Sequence, residues 1–376
     1  MNLSFWEVDT FFQRIDALII GSGIVGLNAA ITLKEAHPDW RVVIFERGPI
    51  PSGASTRNAG FACFGSMTEL LADLKTRSED EVFTLVEERW KGLKLMRQRL
   101  GDDRIDFEVF GGYELFGDND QNAYQECLDY LPLINHALKG ITGFEDTFIK
   151  ADEKISQFGF GRMRHLLLNQ AEGQIHTGKM MQALLNLARE KGVEMYNGLT
   201  VSKIDALENH VGVHLENGWE ISATKLLVAT NGFVRALLPE LESLPARNQV
   251  LITHPISGLK LKGTFHYQEG YWYFRNVGNR VLLGGGRHLS LKEEETSEFG
   301  FSEIIQQEQT KMLDEVILPH ISWAIDRKWS GIMGVGSHKQ PIVQSITPNI
   351  AVAVRLGGMG VAIGAMTGAK GAELLM

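Results

Sequence analysis

The chain has 376 residues, of which 44% are apolar and 22% charged, a soluble globular balance with room for two domains or one elaborated domain. A formal net charge of −9 and the lack of any lysine or arginine block argue against nucleic acid and against an anionic membrane surface as partners. Two distant cysteines, Cys63 and Cys127, exclude a disulfide framework and a CxxC metal pattern, and they suit a reducing compartment.

The start, MNLSFWEVDTFFQRID, lacks a basic leader and carries Glu7 and Asp9, so it does not read as a signal peptide. Its aromatic residues Phe5, Trp6, Phe11 and Phe12 are expected to pack across a domain surface. The apolar run 17–33 is broken by Gly21, Gly23, Gly26 and Asn28, unlike a transmembrane segment, and the expected location is cytoplasmic. Within that run, 17–20 reads as a buried strand and Gly21, Gly23 and Gly26 as a GxGxxG turn. Val25, Ala29, Ala30 and Leu33 continue at helical spacing until His37-Pro38 stops the helix. A second strand, RVVIFE, ends on Glu46, twenty residues after Gly26. This is the context in which GxGxxG binds a dinucleotide. The pyrophosphate would sit on the free N–H groups of the helix N-terminus, and Gly21, Gly23, Ile24, Val25, Gly26, Glu46 and Arg47 would hold the ADP half. An acidic residue at position 46 disfavours a 2′-phosphate and leaves FAD and NAD open.

GASTRNAG (53–60) follows, a loop of small residues that lets a ligand approach the backbone. Residues 78–101 read as a helix with a Ser78/Glu81 capping box, an apolar face of Val82, Leu85, Val86, Leu93, Met96 and Leu100, and a Gly101 stop. Residues 107–117 read as a strand pair about a Gly111-Gly112 turn. A helix over 177–191 precedes a strand over 193–197, and 202–222 reads as a β-meander with Asn217-Gly218 at one turn. KLLVATNGF (225–233) is a hydrophobic strand ending in small residues, suited to packing against a cofactor. Strands at 248–256, 264–270, 271–276 and 280–286 would build an antiparallel sheet. At 355–375 a second glycine-rich turn opens a helix, an arrangement that suits FAD better than NAD because the chain returns to the nucleotide domain at its end.

On GSGIVG with Glu46, GASTRNAG, 177–198, KLLVATNG, YWYFRNVGNRVLLGGGRH (271–288) and the glycine-rich 329–368 segment, the chain resembles the D-amino-acid oxidase/glycine oxidase/sarcosine oxidase-like superfamily of FAD-dependent oxidoreductases. The resemblance implies an α/β fold, α+β overall. A Rossmann-like FAD-binding domain (1–80, 152–240 and 326–376) would interleave with a substrate domain (81–151 and 241–325) built on an antiparallel β-sheet. It implies that Ser55, Asn58, Ala59, Gly60 and Phe61 run along the flavin and its phosphates, and that Gly358, Met359, Gly360 and Val361 close on the pyrimidine edge. Val201 would present backbone to the adenine, and it reads equally as a plain strand residue. The implied reaction is hydride transfer to FAD from the C–N bond of a small amine or amino acid, with oxygen or a carrier as the final acceptor.

Substrate contacts are less determined. Tyr271 aligns with a substrate-facing tyrosine or is a core aromatic, and Arg287 faces the pocket or is a solvated strand-end arginine. Strand alternation puts His288 on the opposite face unless 284–286 bulges, and Arg355 pairs with a carboxylate or the flavin, or caps the core. Where amino-acid-oxidising relatives carry two arginines for the substrate carboxylate, this chain has Met333 and Gly358. Either Arg287 or Arg355 has taken over, or the substrate is an amine without that carboxylate. Leu283 and Gly284 occupy the stretch where sarcosine-oxidase-like relatives place a lysine for oxygen. No cysteine lies in 330–340 to bond the flavin, so FAD is expected to be non-covalent and Cys63 a small buried hydrophobe. No metal site and no GxSxG nucleophile elbow are expected. The alternatives are a flavin dehydrogenase of a 2-hydroxy acid or polyol phosphate, which needs a base such as His288 or His338, and a non-catalytic or RNA-modifying flavoprotein.

Overall fold

A computed structural model describes residues 3–376, in which two eight-stranded sheets carry the chain. The first sheet runs in the order 342–347, 350–354, 220–228, 15–20, 42–46 and 194–197. Its strands from 350–354 onward are all parallel. Strands Ile15–Ile20 and Val42–Glu46 are nearly continuous apolar runs because both faces of the sheet are covered. One face packs on helices α1 (Ile24–Ala36), α2 (Glu79–Leu100), α3 (Thr177–Glu190) and α4 (Gly360–Glu373). The other face is covered by the antiparallel strands 201–206 and 211–215, which continue the sheet from 220–228.

The second sheet runs 325–335, 244–253, 280–285, 272–277, 264–267, 112–117, 163–169 and 148–150. Its pairs are antiparallel, apart from 264–267 beside 112–117. Alternation gives it two unlike faces. Phe265, Phe274, Leu283 and Leu251 are register partners on the face that packs on the domain's own core. Glu114, His266, Tyr273, Gly284 and Val250 form the next row and point the other way.

The Ser78/Glu81 capping box and the Gly101 stop are present on α2, and the Asn217-Gly218 turn links 211–215 to 220–228. The expected hairpin at 107–117 is not. Only Gly112–Gly117 is a strand, and Glu108 makes a lone bridge to Gln174. Gly112 is small for another reason: a Cβ there would lie 2.0 Å from Oε2 of Glu172. The expected domain division and the observed sheets part at three places. Strands 163–169 and 325–335 belong to the second sheet, and α2 packs on α4 beside the first.

The aromatic N-terminal arm packs only in part. Phe12 meets Phe45, Tyr196 and Trp219, and Arg41 donates to the carbonyls of Thr10 and Phe11, but Phe5 and Trp6 are 67% and 72% exposed. His210 and His214 stand four residues apart, yet 211–215 is a strand and His214 Nε2 contacts Asp205 at 2.6 Å. Among the described residues no group of three His, Cys, Asp or Glu is placed to hold a metal ion, and no helix is long and apolar enough to cross a membrane.

Candidate active site

A cavity of about 630 Å³ lies between the two sheets. Fifteen of the seventeen predicted cofactor residues line it: Gly21, Gly23, Ile24, Val25, Glu46, Arg47, Ser55, Asn58, Ala59, Phe61, Val201, Gly358, Met359, Gly360 and Val361. Gly26 and Gly60 stand behind its wall, where a Cβ would meet the Gly21 and Ile175 carbonyls at 1.9 and 2.4 Å.

At the nucleotide end the residues are held from behind. Glu46 Oε2 accepts from the Ser22 amide at 3.1 Å and hydroxyl at 2.7 Å, and Oε1 accepts from the Gly48 amide at 2.9 Å. This fixes the carboxylate at the strand end with lone pairs to spare. The Arg47 guanidinium lies 3.9 Å from the centre of the Phe233 ring. The Ile24 amide donates to Ser55 Oγ at 2.9 Å, so the Ser55 hydroxyl stands at the N-terminus of α1. The next amides of that first turn have no acceptor within the helix. Thr230, in the ATNG segment, lines the cavity with a buried hydroxyl that has no hydrogen-bond partner. An anion-ready helix end, a fixed acidic strand end and an unspent hydroxyl fit a dinucleotide such as FAD. Asn58 is spent on the loop itself: its Nδ2 donates to the Ser55 carbonyl at 2.8 Å, and its Oδ1 accepts from Gly60 N and Thr177 Oγ1.

At the opposite end the chain turns through Gly357 and Gly358, at φ +55° and +86°, before α4 opens toward the cavity. Of the predicted substrate contacts, Tyr271, Arg287 and Met333 line the cavity, while His288 and Arg355 do not. Arg355 is buried and donates to the carbonyls of Glu242 and Gln340 at 2.9 to 3.1 Å, so it ties loops together beneath the glycine turn. Strand alternation does not govern 287–288. The strand ends at Gly285, Gly285 and Gly286 have φ of +109° and +91°, and 287–290 form a 3₁₀ turn. That turn presents Arg287 to the cavity and tucks His288 against Tyr271 and Trp272, where burial and then Arg287 lower its pKa. Arg287 forms no hydrogen bond or ion pair with any described residue.

The structure adds residues that local patterns did not single out. His266 and Tyr273 are cross-strand partners on the cavity wall, and Phe61 meets both rings edge-on. Glu69 and an Asp73–Lys339 pair at 2.9 Å also line it. Cys63 lines the cavity with Sγ 3.8 Å from Met359 Sδ, and burial, with Glu172 and Glu69 nearby, pushes its thiol well above the ordinary range. Alternation along TFHY and YWYFRN puts His266 and Tyr273 on definite faces, but only the pairing register shows that the two share one.

Comparison with known proteins gives one family. Residues 16–374 match the family described as FAD dependent oxidoreductase. A probable oxidoreductase OrdL of Rhizobium meliloti is 26% identical over 97% of this chain and 83% of its own length. Among solved structures, the L-proline dehydrogenase of P. horikoshii superposes with a TM-score of 0.77 at 16% identity, covering 97% of this chain and 94% of that one. Glycine oxidase from Geobacillus kaustophilus gives 0.74 at 19%, over 96% and 94%. At these identities the two structures report the fold.

Proposed function

The chain belongs to the FAD-dependent oxidoreductase family, and from that premise we propose that it dehydrogenates the C–N bond of a small amine or amino acid to an imine, which water then hydrolyses. When bound, FAD accepts the hydride equivalent. The protein's part is to bind, orient and exclude water. Glu46, Ser55 and the first turn of α1 would hold the ADP half, and the 357–361 turn would close on the flavin. The cofactor is proposed to be non-covalent, because the cavity's cysteine, Cys63, is held as a neutral thiol beside Met359.

The observation that carries the substrate reading is Arg287, an unpartnered guanidinium on the wall of the same cavity. It suits a substrate carboxylate in place of the arginines that Met333 and Gly358 replace. The proline- and glycine-oxidising structures that share the fold are consistent with that class. A second reading, dehydrogenation of a 2-hydroxy acid, draws support from His266, a base on the cavity wall. The two separate on anaerobic mixing of the FAD-loaded protein with glycine, L-proline, other amino acids, alkylamines and 2-hydroxy acids. Loss of oxidised-flavin absorbance with amines supports the first, loss with hydroxy acids alone supports the second, and no loss with any of them sinks both.

A further inference from the structure

In and behind the cavity wall lies a group of ionisable side chains outside the residues assigned to the cofactor. Glu172 is 1% exposed, and its Oε1 accepts from the Phe64 and Gly65 amides at 3.0 and 3.4 Å. Its Oε2 occupies the space that the missing side chain of Gly112 leaves, 3.8 Å from Nε2 of His266. His266 is 5% exposed, and that Nε2 has no hydrogen-bond partner. Its other nitrogen lies beside residues of the cavity wall: a Cβ on the cavity-lining Gly270 would lie 3.7 Å from His266 Nδ1 and 3.5 Å from Glu69 Oε2. One imidazole nitrogen therefore addresses a buried carboxyl and the other stands at the wall of the ligand space.

We propose that His266 is the proton acceptor for the substrate's ammonium group and that Glu172 is its positioning residue. The step rests on the amine reading above. An ammonium has no lone pair, and a nitrogen lone pair is what drives hydride loss from the adjacent C–H bond. In the step, an N–H bond of the bound ammonium breaks, its electron pair stays on nitrogen, and the proton bonds to His266 Nδ1. The ionised Glu172 faces Nε2–H, which keeps the Nδ1 lone pair toward the cavity and offsets the charge of the imidazolium.

Four other cavity side chains serve less well. Burial keeps Tyr273 and Cys63 protonated, Asp73 is paired with Lys339, and Arg287 is already a cation. Burial also lowers the His266 pKa, against a pull from Glu69, so the ring is neutral when substrate arrives. The charged and titratable groups around it are Glu172, Glu69, Glu114 on the adjoining parallel strand, Tyr273 on the antiparallel one, Cys63, and Glu269 in the turn before Gly270. Burial pushes Glu172 up to about 8 and Glu114 up to about 7. The competent form, with Glu172 ionised, therefore builds up as pH rises through about 8.

The test is the pH dependence of flavin reduction in the FAD-loaded protein, with the two panel amines that reduce it fastest and that differ in their own pKa. The wild-type rate at saturating amine should rise with pH along a limb whose midpoint is common to both amines. Glu172→Gln should remove that limb, and His266→Gln should slow reduction by about 100-fold or more with the flavin spectrum unchanged. A His266→Gln variant that reduces within about threefold of wild type overturns the step. If that variant loses FAD, Glu172→Gln decides, and an unmoved limb there overturns the proposal. A wild type that no amine reduces overturns the functional reading and the step together. A reducible wild type with an unmoved limb overturns the step alone.

Discussion

Tyr273 lies across Gly284. The two are register partners on adjacent strands, and a Cβ on Gly284 would stand 2.4 Å from Cζ of Tyr273 and 2.5 Å from its hydroxyl. The glycine in the GGG run is thus the seat of an aromatic ring on the cavity wall. Gly284→Ala should push the ring off its seat at a cost of about 1–3 kcal/mol. Thermal unfolding should show a lower Tm, and FAD affinity should fall with it. An unchanged Tm would mean that the ring is free to move.

Arg287 is the one predicted substrate arginine that reaches the cavity without a partner. Arg287→Met should raise KM for carboxylate substrates by about 10- to 100-fold, the worth of a charge-assisted pair, while alkylamines keep theirs. Steady-state kinetics on one substrate of each kind checks this, and equal changes for both would remove Arg287 as the carboxylate clamp.

Cys63 is a neutral buried thiol packed against Met359. Acid precipitation of the holoprotein should release all the FAD into the supernatant, and Cys63→Ser should bind FAD as the wild type does. Flavin that stays with the pellet in the wild type and not in Cys63→Ser would show a covalent bond at that sulfur.

Glu172 makes stability depend on pH. Burial raises its pKa from 4.5 to about 8, so the folded protein keeps a proton that the unfolded chain has released across that interval. Its contribution is fully present below 4.5 and is lost as pH rises through about 8. Glu172→Gln imitates the protonated form, so its Tm should gain on that of the wild type as pH rises from 4.5 to about 8 and hold a constant lead above that. Parallel Tm curves would mean that Glu172 ionises as freely in the fold as out of it.

Much of the architecture is legible in local patterns. The 17–46 unit, the capping box at Ser78 and the meander at 202–222 carry their signals within a few residues of each other. What could not be read depends on distant partners. Gly111-Gly112 looks like a hairpin turn because of its composition, but Gly112 is small to admit the Glu172 carboxyl from sixty residues away. His266 and Tyr273 become one site only when two strands settle in register, and Glu172 sits in a segment with no periodicity at all. A place beside a glycine turn leaves Arg355 open to a carboxylate, to the flavin or to capping the core, and only the fold shows that the Glu242 and Gln340 carbonyls use its guanidinium.

The central claim is oxidation at a C–N bond by FAD held in this cavity. It is tested most directly by counting products after one anaerobic turnover with the amine that bleaches the flavin fastest. The account predicts one carbonyl compound and one ammonia or free amine for each flavin reduced. With a ring amine such as L-proline the carbonyl and the amine share one opened chain; reduction of the flavin by an amine with no carbonyl formed at the C–N carbon, or reduction by a 2-hydroxy acid alone, would contradict it.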